Sequence, residues 1–162
     1  MRAWMAIALF AMPCAASERS DVLFVAQELV GVMEQGINDG PEVKKILASV
    51  GLETGNPWCA AFNYYVFSMA GLADRVPRSG WSPDWVRGGV RTSKTPEASV
   101  FGVYFQSLGR VAHTGIIESC DGVFATTIEG NTNAGGGRGA GGGDGVYRRK
   151  RSMRTIICKD WL

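Results

Sequence analysis

The sequence predicts an α+β domain: helices come first, and a small antiparallel sheet follows them. Up to residue 71 the apolar residues recur at helical spacing. From residue 100 they fall instead into short runs rich in β-branched and aromatic residues, bounded by turn residues. Length and composition agree with one core: 162 residues, 46% hydrophobic and 20% charged, are ordinary for a single globular unit.

Residues 1–16 read as a secretory signal. Arg2 is followed by an apolar run from Ala3 to Met12, and Pro13-Cys14-Ala15-Ala16-Ser17 places small residues at a cut point. The run is too short for a bilayer of ~30 Å, which needs ~20 apolar residues, so no stable membrane span is expected. The folded domain is then residues 17–162, secreted or periplasmic. Loss of Arg2 lowers the formal charge from +2 to about +1, which implies no strong polyanion partner. Export leaves Cys59, Cys120 and Cys158. An odd number in an oxidising compartment suggests one free thiol and one bridge. A Cys120–Cys158 disulfide, conditional on neighbouring strands, and two reduced thiols both stay open.

Three helices are expected. Val22, Val25, Ala26, Leu29, Val32 and Met33 share one face of the first. Pro41 opens the second, which turns Val43, Ile46, Leu47 and Val50 inward and stops at Gly51. The third is expected to take Asn56 as cap and Pro57 as first residue, and to run through Cys59 to Ala70. It is apolar on most sides, which marks a buried helix. Residues 72–96 form a long connection holding Trp81 and Trp85, with one helical turn starting at Ser82-Pro83.

Strands are expected over residues 100–105, 111–118, 123–128 and 154–158. Residues 134–145 form a glycine-dominated surface loop. With no Gly-Lys-Ser/Thr after it, it is not a phosphate-binding loop.

Cys59 falls in the first turn of the buried helix, where unpaired N–H groups and the positive dipole end favour a thiolate. His113 is the sole histidine, so base chemistry near neutral pH must use it. Glu129 enters through hairpin register. A three-residue loop Cys120-Asp121-Gly122 pairs Ser119 with Val123 and sets His113 opposite Glu129 on one face. A two-residue turn would put them on opposite faces. Gly115, two residues from His113, permits close approach of another chain or a substrate.

On these residues the sequence resembles the CHAP family of cysteine, histidine-dependent amidohydrolases and peptidases, within the wider papain-like and NlpC-like group. Gly55-Asn56-Pro57-Trp58-Cys59-Ala60-Ala61-Phe62 resembles the nucleophile motif. His113-Thr114-Gly115-Ile116-Ile117 is similar to the histidine strand, and Glu129-Gly130-Asn131-Thr132-Asn133 to the motif of the acid. The segment from Glu34 to Val43 and Gly145-Val146-Tyr147-Arg148-Arg149 also look like relatives. The likeness spans about residues 22–158. It departs where many relatives carry Pro-x-x-Gly-Asp, since this chain has Pro96-Glu97-Ala98-Ser99.

The resemblance implies a papain-like cysteine peptidase core, a Cys59-His113-Glu129 triad, and peptidoglycan as substrate. The bond would be the amide between N-acetylmuramic acid and L-alanine, or a peptide bond of the stem or cross-bridge. Gln35 and Asn56 are candidates for the second oxyanion donor beside the Cys59 N–H, and Asn131 for support of the site. Trp58, Trp81 and Trp85 are candidates for a substrate groove, with core packing as the equal alternative. No cofactor is implied, and the absence of a close Cys-x-x-Cys pair argues against zinc. Arg148-Arg149-Lys150-Arg151 reads as a solvated strand end, with no nucleic-acid partner implied. A monomer is expected. The rival readings are a wall-binding module without turnover, and a cysteine hydrolase of some other amide.

Overall fold

The computed structural model describes residues 15–133 and 144–162. The signal expected over residues 1–16 lies outside them, apart from Ala15 and Ala16, and so does most of the glycine loop. The architecture is α+β. Four helices, α1 (Ala15–Glu28), α2 (Pro41–Ser49), α3 (Cys59–Met69) and the one-turn α4 (Ser82–Trp85), precede the strands. The strands are β1 (Val100–Phe105), β2 (Arg110–Cys120), β3 (Phe124–Thr132), β4 (Gly145–Ser152) and β5 (Ile156–Lys159). They form one antiparallel sheet in the order β4-β3-β2-β1-β5. None of the helices among the described residues is long and apolar enough to cross a membrane.

The first helix ends earlier than its periodicity suggests. Gly31 adopts a left-handed φ of 95°, and the chain leaves the helical path there. Val32 and Met33 join the sheet edge instead: the Val146 N–H donates to the Val32 carbonyl at 2.8 Å, and Met33 bridges Gly145. The third helix starts at Cys59, two residues later than Pro57, and Asn56 is not its cap. The Asn56 side-chain amide donates to the Glu53 carbonyl at 3.0 Å, so it is spent within its own turn.

The main core lies between the helices and the sheet, where Val22, Ile46, Phe62, Phe67, Ile116 and Ile128 meet with no exposure above 1%. α3 is the central helix, packed on β2 and β3 and flanked by α1 and α2. Phe101, Ile117, Ala125, Met153, Ile156 and Cys158 form a smaller cluster on the other sheet face. Phe101 pairs with Gly115 and Cys158 in register, which puts β1 between β2 and β5. Cys120 on β2 and Cys158 on β5 are therefore not on neighbouring strands, and all three described cysteines are free thiols.

Before β1, Ala98 takes a left-handed φ of 62° while fully buried. A side chain in that conformation carries strain of about 1–2 kcal/mol.

Candidate active site

The hairpin between β2 and β3 differs from the expected register, and the difference shapes the site. Asp121 accepts from the Val123 and Phe124 N–H groups at 2.8 and 2.6 Å, which holds a longer turn than the three-residue loop. Cys120 consequently pairs with Ala125, and a bulge between Ile117 and Ser119 then brings Ile116 opposite Ile128. The net offset from expectation is two residues. Two residues preserve the face, so Glu129 still shares a face with His113, but it lies at the level of Gly115. A Cβ on Gly115 would sit 2.8 Å from the Ile128 carbonyl and 3.0 Å from Glu129 Cγ. Glycine at 115 is what lets the carboxylate lie across β2 and reach the imidazole.

Glu129 is fully buried and meets four donors. Its Oε2 accepts from His113 Nε2 at 2.7 Å and from Arg151 Nη2 at 2.5 Å. Its Oε1 accepts from the Thr127 hydroxyl at 2.6 Å and Arg151 Nε at 2.8 Å. Burial alone would raise its pKa, but the Arg151 and His113 contacts outweigh that and hold it at about 2. Arg151 in turn is held above its ordinary value by the carboxylate. The alternation that places Thr127, Glu129 and Arg151 together needs β4 as a strand, and β4 was not among the expected strands.

With Nε2 on Glu129, His113 leaves Nδ1 for Cys59, whose thiol faces the same cavity and acts on the charge of the imidazole. Burial opposes charge on the imidazole, yet the Cys59 and Glu129 interactions raise its pKa to about 9. Burial likewise pushes the Cys59 thiol up, but His113, the Ser82 hydroxyl 3.5 Å from Sγ and the Thr114 N–H bring it below the ordinary value. Both shifts favour a thiolate–imidazolium pair near neutral pH. Ser82 carried no signal for this role beyond its Ser-Pro helix start.

The start of α3 has no side-chain cap hydrogen bond, and the first N–H groups of the helix, that of Cys59 among them, have no intrahelical partner. Asn131, at a left-handed φ of 55°, sets the approach: its Oδ1 accepts from the Trp58 N–H at 3.1 Å. Its amide donates to Glu34 Oε1 at 3.0 Å and Asn38 Oδ1 at 2.9 Å. Glu34 also accepts from the Trp58 indole at 2.7 Å and the Asn38 N–H at 3.1 Å. Glu34 is thus the hub that fixes the segment before Cys59, a position local sequence reasoning did not single out.

A cavity of about 760 Å³ opens over Cys59 and His113, with Trp81, Ser82, Arg110 and Arg151 in its walls. Trp81 is 49% exposed and lines it. Trp58 and Trp85 do not: both are fully buried, Trp58 under Gly130 and Trp85 between Phe67 and Trp161. Gln35 is exposed and is not among the residues that line the cavity; its backbone N–H donates to the Asp39 carbonyl at 2.9 Å. Asn56 lines the cavity, but its amide faces Glu53. Among the described residues, no group of three or more His, Cys, Asp and Glu side chains is placed to hold a metal.

Comparison with family models, curated proteins and solved structures finds no match to this chain.

Proposed function

We propose that this protein is a peptidoglycan hydrolase, a secreted or periplasmic cysteine amidohydrolase or endopeptidase with a papain-like core of the CHAP kind, acting as a monomer. One observation carries the reading. The Cys59 thiol and the sole imidazole line one cavity, and a fully buried carboxylate saturated by donors holds that imidazole from behind at 2.7 Å. A structural thiol in an apolar core has no use for that arrangement.

In this mechanism the Cys59 thiolate attacks the amide carbonyl, and the Cys59 N–H donates to the oxyanion. His113, held by Glu129 in the orientation that presents Nδ1, gives its proton to the leaving amine as the C–N bond breaks. Water, deprotonated by His113, then splits the thioester; the acid product leaves and the Cys59 thiolate faces the His113 imidazolium again. Glu129 stays ionised throughout, since its neighbours hold its pKa near 2.

The test is mass spectrometry of digested peptidoglycan. Wild-type protein is expected to release fragments that name the bond cleaved, and Cys59→Ala to lose them by about 10⁴ or more in rate. Identical fragment sets from the two proteins contradict the proposal.

A further inference from the structure

We propose that Arg110 and Trp81 form a subsite for a carboxylate of the substrate, so that the amide cleaved belongs to an anionic peptide. The inference rests on the hydrolase reading and names its substrate class.

Besides the Cys59–His113 pair, the charged groups in the cavity wall are Glu34, Asp144, Arg110 and Arg151. Three have partners within the fold. Glu34 accepts from Trp58, Asn131 and Asn38; Asp144 accepts from Asn133 at 2.9 Å; Arg151 is forked onto Glu129. Among the described residues no carboxylate pairs with Arg110. Its Nη1 donates to the adjacent Val111 carbonyl at 3.0 Å, and its guanidinium carbon lies 4.1 Å from the Trp81 ring centroid. The cation–π contact and that one hydrogen bond restrain the group, and its remaining N–H donors have no carboxylate partner among the described residues. A guanidinium restrained in this way is prepared for a two-oxygen acceptor at low entropic cost.

The position fits a group next to the scissile bond. Trp81 directly precedes Ser82, whose hydroxyl is 3.5 Å from the Cys59 sulfur, and Arg110 stands three residues before His113 on β2. The molecule buries Trp58 and Trp85 completely yet leaves half of Trp81 open beside this cation. In a peptide substrate the anion within reach of the reacting amide is a carboxylate, and its approach places it on Arg110.

The test compares two reagents with the same reactive group, N-bromoacetylglycine and its neutral amide, as alkylators of Cys59 in the full chain. Wild-type protein is expected to favour the anionic reagent, and Arg110→Gln to cut its rate about five- to tenfold while the neutral reagent stays within about twofold. Arg110→Lys, which keeps the charge and loses the fork, is expected to fall between. The neutral reagent reports whether the site is intact. Trp81→Ala serves as a second variant and is expected to lower the same ratio by freeing the guanidinium. An anionic-to-neutral ratio unchanged in both Arg110→Gln and Trp81→Ala overturns the subsite. Alkylation needs no turnover, so this outcome is separate from success or failure on peptidoglycan.

Discussion

Glu129 keeps a full charge without exposure because Arg151, Thr127 and His113 supply every donor its oxygens can use. Arg151 and His113 compete for that carboxylate, and the competition makes opposite predictions for two neutral replacements. In wild type the alkaline limb of activity should lie near 9, where the imidazolium loses its proton. Glu129→Gln removes the anion that favours the imidazolium, so the limb should move down and kcat/KM should fall about a hundredfold or more. Arg151→Gln removes a cation that draws on the same carboxylate, so the limb should move up. The pH dependence of kcat/KM in the three proteins checks both signs. Cys59, His113 and Glu129 were legible as residues because each stands in a distinctive local pattern. Glu34, Ser82 and Arg151 were not, because their roles come from partners 22 to 97 residues away in the chain: Glu129 for Arg151, Cys59 for Ser82 and Asn131 for Glu34.

At the scale of elements, the face that unites the site depends on a glycine and a bulge. The shift to Ile116 opposite Ile128 moves Glu129 by two residues and leaves its face unchanged, which is why His113 and Glu129 meet although the register differs from the expected one. Gly115→Ala should force the Ile128 carbonyl and Glu129 apart, lowering stability by roughly 1–3 kcal/mol and the melting temperature by several degrees. It should also slow Cys59 alkylation. Thermal unfolding with unchanged values would contradict the close packing there. All four expected strands lie within a few residues of observed ones, β1, β2, β3 and β5. β4 was missed because Arg148-Arg149-Lys150-Arg151 has little β-propensity, and an edge strand tolerates such charge. Asn56 looked like a helix cap since Asn-Pro before an apolar run is a local signal. Asn131, which actually serves the segment before the helix, lies in a strand 73 residues later than Trp58.

Across the whole molecule, several carboxylates are held below their ordinary values by the fold. Glu129 sits at about 2, and Asp84, Glu118 and Asp121 are also lowered, through Ser79 and Arg87, through Arg148, and through the Phe124 and Val123 N–H groups. A group with a depressed folded pKa contributes stability above its unfolded value and loses it as pH falls towards the folded one. For Glu129 that window runs from about 4.5 down to about 2. Melting temperature should therefore fall on acidification through this range, and Glu129→Gln should lose less than wild type over the same interval. Equal losses would show that the buried carboxylate is not the linked group. The α+β class was legible at this scale because helical and alternating patterns occupy separate halves of the chain.

The central claim is that Cys59 is held as a thiolate by His113. The most direct measurement is the pH profile of iodoacetamide labelling at Cys59, followed by peptide mapping. The account predicts labelling that persists well below the ordinary thiol range near 8.5, and a fall of at least about tenfold at neutral pH in His113→Ala. A profile that titrates at or above 8.5, as burial alone would dictate, and that His113→Ala leaves unaltered would contradict it.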